Sequence, residues 1–311
     1  MARIVITEFM DERAVALLRA AHEVHYDPKL VDDMPRLLLE AASANALIVR
    51  NRTPVRGALL AALTAQPRCT VVGRLGVGLD NIDVPGCEAL GMQVIPATGA
   101  NALSVAEYVV TAALMLLRGA YQSSTAVAQG GWPRAPLSNG REVAGKTLGL
   151  LGFGSIGQLT ARLARALGMQ VQAHDALMAA DDPAFAEHGV RCVTLDTLII
   201  TSDVLSLHVP LVEGTRGLLD ARRIALMQRG AVLINTARGG IVDEVALAAA
   251  LKSGHLGGAA IDVFGTEPLP AAVHFEGCPN LLLTPHIAGV SAESNERVSF
   301  LIADKVLAAL R

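Results

Sequence analysis

The sequence predicts an α/β protein with two doubly wound parallel sheets, and three observations predict it. Short β-branched runs alternate with helical patterns along the chain. Apolar residues make up 52% of it and aromatic ones only 3%, so the core is mainly Ala, Leu, Val and Ile, which suits helices packed on buried parallel strands. At 311 residues the chain is long enough for two domains with cores of their own.

In chain order, strands are expected at 4–7, 47–50, 70–73 and 93–95, with a helix at 11–20 after the first. A long helix follows at 105–117. A second set of strands is expected at 147–151, 170–174, 191–193, 204–208, 231–235, 259–263 and 281–284, with helices at 156–167 and 245–252. A last helix is expected at 291–310. The polar, Gly/Pro-rich stretch 129–145 has the composition of a linker, but the domain boundary is placed earlier, near 97–101. Crossovers between parallel strands of one sheet are expected to be right-handed.

Composition excludes several classes. A net charge of −3 without a basic block argues against a nucleic-acid partner. The apolar stretch 109–117, bounded by Glu107 and Arg118, is too short to span a bilayer and reads as a buried helix suited to a subunit contact. The N-terminus has the pattern of a first strand, not of a secretory leader. Cys69, Cys87, Cys192 and Cys278 are scattered without a CxxC pair, so reduced thiols of a cytoplasmic protein are expected, with no metal site.

The segment Gly149-Leu-Leu-Gly152-Phe-Gly154-Ser-Ile-Gly157 follows a strand and opens a helix. In a dinucleotide site Gly152 makes the tight turn, Gly154 lets the backbone approach the pyrophosphate, and Gly157 allows close helix–strand packing. The helix N-terminus then faces the phosphates with free N–H groups and a favourable dipole. Asp175 follows the next strand, 18 residues beyond Gly157, close to the spacing of a ribose-binding acid. A carboxylate there accepts bonds from ribose hydroxyls and repels a 2′-phosphate. No Arg follows at once, so NAD is favoured over NADP.

Three downstream segments place chargeable side chains just past strands, where open α/β sheets build their sites. They are Asn235-Thr-Ala-Arg238-Gly-Gly-Ile-Val-Asp243, Asp262-Val-Phe-Gly-Thr-Glu267-Pro268 and Thr284-Pro-His286-Ile-Ala-Gly289. Hydride transfer to a 2-keto acid needs a cation to hold the carboxylate and polarise the carbonyl, a role for Arg238. It needs a general acid near neutral pH, a role for His286. Glu267 beside that ring would favour imidazolium and fix its orientation.

With these segments, Gly73-Arg-Leu-Gly-Val-Gly-Leu-Asp-Asn-Ile-Asp83 and His208-Val-Pro-Leu211, the chain resembles the D-2-hydroxyacid dehydrogenase family over nearly its whole length. It is nearest in style to the phosphoglycerate dehydrogenase-like members. The resemblance implies a flavodoxin-like substrate domain formed by 1–97 and a C-terminal return, 288–311, around a Rossmann NAD domain at 98–287. It implies that Arg238, Glu267 and His286 are the catalytic set. It implies NAD contacts from Ser155, Ile156, Asp175, His208, Val209, Pro210, Thr215, Thr236, Ala237 and Asp262, and substrate carboxylate binding by backbone N–H groups around Val77 and Gly78. A cleft that closes on substrate and a homodimer built largely on the cofactor domain are also implied. The order Ala288-Gly289 departs from the Gly-Ala of many relatives, a swap of small effect on the nicotinamide-side loop. No counterpart of the regulatory C-terminal domain of some phosphoglycerate dehydrogenases is seen, so serine feedback through one is not expected.

The substrate's distal end is expected to meet the first domain. Alternation along an extended segment puts Arg50 and Arg52 on one side, and Arg74 would join them in an anion cluster. That favours a small 2-hydroxy or 2-keto acid with a second anionic group, a sulfonate, phosphate or carboxylate. Arg50 and Arg52 as structural ion pairs are the competing reading. The run Ile48-Val-Arg-Asn-Arg-Thr53 with the Gly73 segment resembles the sulfolactate dehydrogenase branch first and 3-phosphoglycerate dehydrogenase second. Formate dehydrogenase is disfavoured because its pattern has Gln where this chain has Glu267. Hydroxypyruvate or glyoxylate reductase and an NAD-sensing, peptide-binding corepressor are the remaining alternatives.

Replacing Asp175 by Ala and adding an Arg nearby is expected to raise NADPH use relative to NADH in steady-state assays. An unmodified protein that already works better with NADPH would contradict the assignment.

Overall fold

Strand alternation decides where the first core lies. On β1 (Arg3–Ile6), Ile4 and Ile6 face one side and Val5 the other, and all three are fully buried. A strand covered on both faces belongs inside a parallel sheet with helices above and below. The computed structural model describes residues 1–65 and 68–311, and these divide into two units, 1–101 with 290–311, and 102–289.

In the first unit β1 joins β2 (Glu23–Tyr26), β3 (Ala46–Val49), β4 (Val71–Arg74) and β5 (Gln93–Pro96) in the order β2-β1-β3-β4-β5, every pair parallel. This is the flavodoxin-like order. The helix Ala292–Ala309 packs Val298, Ile302 and Val306 against Ile48, Val71 and Ile95 on one face of that sheet. Leu37, Leu59 and Leu63 cover Leu47, Val49 and Val72 on the other. Each such buried aliphatic side chain contributes about 1.5–3 kcal/mol relative to exposure.

The second unit holds β6 (Thr147–Leu151), β7 (Gln170–His174), β8 (Arg191–Cys192), β9 (Val204–Leu207), β10 (Val232–Asn235), β11 (Gly258–Ile261) and β12 (Leu281–Leu283). Their order is β12-β11-β10-β9-β6-β7-β8, again all parallel. The order reverses at the β6/β9 pair, the Rossmann switch point at which ligands bind. The long helix Ala102–Arg118 lays Val105, Val109, Ala112 and Leu116 over Leu148, Val232, Ile234 and Ala260.

Two differences from the sequence reading have physical causes. Strand β2 went unpredicted because it is a four-residue edge strand whose Glu23 is exposed and whose His25 interrupts any apolar run. The expected strands ending at Arg50, His208, Val263 and Thr284 stop at Val49, Leu207, Ile261 and Leu283. In each case the chain leaves the ladder at the residues that open the functional loops. Among the described residues no helix is long and apolar enough to cross a membrane.

Candidate active site

Gly152, at the end of β6, stands beside β9 at the switch point, and His208 N–H donates to Leu151 O at 2.7 Å. Its φ of +97° is left-handed backbone, and a Cβ there would lie 2.6 Å from His208 O. A Cβ on Gly157 would lie 2.5 Å from Gly152 O, whereas one on Gly154 would meet nothing within 4 Å. Gly152 and Gly157 are thus required by the protein's own packing, while Gly154 borders open space.

The helix Ser155–Ala166 has Gly154 as its N-cap and no side chain bonded to its first N–H groups. Helices of the same unit starting at Pro183, Leu195, Ala221 and Glu244 are each capped by an Asp or Thr side chain. Asp175 Oδ2 accepts from Phe153 N–H at 2.8 Å and Oδ1 from Leu177 N–H at 2.9 Å, so the carboxylate is fixed beside the turn. Thr236 Oγ1, just past β10, is buried without a hydrogen-bond partner, a polar atom awaiting a ligand. An open glycine, an uncapped helix start, a fixed acid and an orphaned hydroxyl, following β6, β7 and β10 at the carboxyl end of the sheet, fit a dinucleotide. Thr215 Oγ1 donates to Pro210 O at 2.6 Å and accepts from Val212 N–H, which folds the segment 208–215 back on itself. Desolvation pushes the pKa of His208 down to about 4, so the ring is neutral at physiological pH, with Nε2 3.0 Å from Ser206 Oγ.

The strand ends β10, β11 and β12 carry the chargeable groups. Asn235, 1% exposed, winds the first loop: its Oδ1 accepts from Ala237 N–H and its Nδ2 donates to Arg238 O. Arg238 Nη1 donates to Ala237 O at 2.6 Å. Gly239 crosses the second loop so closely that a Cβ would lie 1.8 Å from Phe264 O. Phe264 N–H donates to Glu267 Oε1 at 2.9 Å, and Glu244 Oε1 accepts from Gly265 N–H at 2.9 Å. Glu267 Oε2 lies 2.7 Å from His286 Nδ1.

Burial pushes the Glu267 carboxyl up, but bonds from His286 and Phe264 N–H, with the charges of His286 and Arg238, outweigh it. Its pKa lies below the ordinary range and the group stays ionised. A carboxylate only accepts, so Nδ1 carries the proton of the Glu267 bond. Asp262, 1% exposed, accepts from Thr284 Oγ1, Ile287 N–H and Ala288 N–H through its carboxylate and from His286 N–H through its carbonyl. These bonds hold His286 at φ +57°, unusual for a residue with a side chain. Asp262 thus holds the loop that carries His286, a use beyond the cofactor contact expected of it. Among the described residues no group of three His, Cys, Asp or Glu could hold a metal ion.

The first unit places the expected substrate residues differently from the sequence reading. The extended segment that would align Arg50 with Arg52 ends at Val49. Residues 50–53 instead wrap the buried Glu8 carboxylate, which accepts from Arg50, Arg52 and Thr53 N–H and from Thr53 Oγ1. Arg50 Nη2 donates to Asn295 Oδ1 at 2.5 Å and its guanidinium lies 5.7 Å from the Phe9 ring centroid. Arg52 is exposed and ion-paired with Asp32. Arg74 Nη1 donates to Leu75 O, and Val77 and Gly78 lie in the loop that follows. Sequence reasoning missed Glu8, Asn235, Gly239 and Thr284, which act by burial and backbone contact; only the position of Asn235 and Thr284 at strand ends hinted at them.

Residues 110–288 match the family described as D-isomer specific 2-hydroxyacid dehydrogenase, NAD binding domain. The chain is 54% identical over 310 residues to the (S)-sulfolactate dehydrogenase of Chromohalobacter salexigens, covering 100% of this chain and 99% of that one. It is 37% identical to the D-3-phosphoglycerate dehydrogenase of Mycobacterium leprae over 99% of its own length, spanning 56% of that protein. A crystal structure of D-lactate dehydrogenase from Aquifex aeolicus with NAD and lactic acid superposes with a TM-score of 0.84 at 28% identity, over 99% of this chain and 95% of that one.

Two alanine substitutions separate packing from binding. Gly239→Ala forces two backbones apart and is expected to lower kcat/KM by about 100-fold, the cost of an ångström-scale misplacement. Gly154→Ala meets no protein atom, so it should leave Tm nearly unchanged and weaken NADH binding in a fluorescence titration. Unchanged activity of the first, or unchanged NADH affinity of the second, would contradict the site geometry.

Proposed function

Because the chain belongs to the D-isomer specific 2-hydroxyacid dehydrogenase family, we propose that its substrate is a small 2-hydroxy acid with a second anionic group, sulfolactate first. The enzyme is NAD-dependent and acts on the CH–OH group of its donor. Bound NAD supplies the hydride acceptor, and NADH the donor in reverse. Arg238 holds the substrate carboxylate with its planar fork, and its charge polarises the C2 carbonyl. His286 Nε2 takes the proton of the C2 hydroxyl in oxidation and returns it in reduction. Glu267 holds Nδ1–H throughout and stabilises the imidazolium. A 2-hydroxy acid and NAD⁺ thus give a 2-keto acid, NADH and a proton.

The observation that carries the substrate assignment is Arg50. Its guanidinium rests on a neutral amide and an aromatic ring, while the nearby Glu8 carboxylate is engaged by four other donors. A partly buried cation whose side-chain bond goes to a neutral amide, with the charge of Glu8 acting on it but no carboxylate among the described residues bonded to its guanidinium, suits an incoming sulfonate or phosphate. Arg52, exposed and already paired with Asp32, is assigned a lesser share, with Arg74 and the backbone around Val77 and Gly78 completing substrate recognition. The 54% identity to a protein named sulfolactate dehydrogenase favours sulfonate over phosphate. We assign NAD contacts to Gly152, Gly154, Ser155, Ile156, Gly157, Asp175, His208, Val209, Pro210, Thr215, Thr236, Ala237, Arg238, Asp262 and His286. A cytoplasmic homodimer is part of the same reading, and exposed Tyr121, Val127 and Trp132 in the second unit are available for subunit contact.

An NADH-oxidation panel of 2-keto acids with neutral, carboxylate, phosphate and sulfonate tails tests this. Sulfopyruvate is expected to exceed pyruvate in kcat/KM by about 100-fold, and Arg50→Ala to remove most of that advantage while changing pyruvate turnover little, because the cost of losing one partner of a desolvated charge pair falls only on the substrate with a second anionic group. Arg52→Ala should cost less, about severalfold. Equal activity on pyruvate and sulfopyruvate would overturn the assignment.

A further inference from the structure

The segment carrying His286 is tied to a helix distant in sequence, through groups that no step of the reaction uses. Tyr108, on the helix Ala102–Arg118, packs its ring against the second unit's core and sets its hydroxyl 2.6 Å from Thr284 Oγ1. Thr284 Oγ1 lies 2.6 Å from Asp262 Oδ1. The direction of these bonds is forced. The carboxylate can only accept, so the single hydroxyl proton of Thr284 goes to Asp262, and the Tyr108 hydroxyl must donate to Thr284. Asp262 in turn accepts from the N–H groups of Ile287 and Ala288 through its carboxylate and of His286 through its carbonyl. The chain Tyr108–Thr284–Asp262 therefore ends on the three residues that set the left-handed turn at His286.

We propose that Tyr108 and Thr284 are positioning residues for His286: their one-way hydrogen-bond chain fixes the Asp262 carboxylate, which fixes the turn that aims the imidazole. The inference rests on the assignment of His286 as the proton-transfer group. Hydrogen bonds in series polarise one another, so the Tyr108 hydroxyl makes Thr284 a better donor to Asp262. Burial raises the pKa of Tyr108, and the charge of Asp262 adds to this against the bond to Thr284, so the phenol keeps the proton it donates. A rotation of the His286 ring by a fraction of an ångström at Nε2 would slow proton transfer without changing how NADH binds.

The test uses the full-length protein and whichever 2-keto acid it reduces fastest. Tyr108→Phe keeps the ring and removes the donor, and is expected to lower kcat about fivefold, the equivalent of one neutral hydrogen bond. Thr284→Val breaks the chain at its centre and is expected to lower kcat about 30-fold or more, with the KM for NADH changed less than about twofold. Thr284→Ser restores the hydroxyl and should return kcat to within about twofold of the parent. The double variant Tyr108→Phe/Thr284→Val should be no slower than Thr284→Val alone, because the two groups act in series. If Thr284→Val does not fold, Tyr108→Phe and Thr284→Ser still decide. Parent-like kcat in Tyr108→Phe, failure of Thr284→Ser to restore rate, or losses confined to Tm would overturn the proposal. His286→Gln is the control: if it keeps parent activity, the role of His286 under the proposed function fails as well.

Discussion

The buried carboxylate of Asp262 is the interaction on which the geometry around His286 depends. A carboxylate at 1% exposure is costly unless donors surround it, and here one hydroxyl and two backbone N–H groups do so. Those donors all come from the segment 284–288, so satisfying the charge and shaping the turn are one event. The turn holds His286 in a backbone region that a side-chain-bearing residue seldom occupies, and from there Nδ1 meets Glu267 at 2.7 Å. Removing the carboxylate would leave the N–H groups of Ile287 and Ala288 without acceptors and the strained turn held only by backbone bonds from His286 N–H.

The same device recurs at other strand ends. Asn235 at the end of β10 winds the loop of Arg238 through one accepted and one donated bond. Glu8, just past β1, gathers four donors from residues 50–53 and turns the chain off the end of β3. In a parallel sheet the carboxyl ends of the strands present their loops on one side, so a short polar side chain buried at each end can preset a loop. Arg238, Glu267 and His286 then need no help from flexible segments. Their loops are fastened to each other as well, where Gly239 passes against Phe264 and Glu244 holds Gly265 N–H.

Most of the architecture was legible in the sequence because parallel strands buried on both faces leave unbroken apolar runs, and because the glycine turn has a fixed spacing to Asp175. Arg238, Glu267 and His286 stand out in the sequence because each follows one of three successive strands, and the structure sets Glu267 and His286 2.7 Å apart. The edge strand β2 was not legible, since Glu23 is exposed and its other three side chains are only partly buried, which leaves no apolar run. The relation of Arg50 to Arg52 was not, because alternation holds only while a segment stays in the ladder, and Glu8 is remote in sequence from the turn it shapes. The bond from Tyr108 to Thr284 spans 176 residues, and nothing in either local pattern announces it.

A double-mutant comparison of kcat tests most directly whether Asp262 acts through His286. Asp262→Asn puts a donor where Ala288 N–H needs an acceptor, and is expected to slow kcat about 100-fold. If Asp262 acts through His286, Asp262→Asn/His286→Gln will be no slower than His286→Gln alone, because the imidazole that Asp262 positions is already gone. Losses that multiply in the double variant would show instead that Asp262 acts independently of His286.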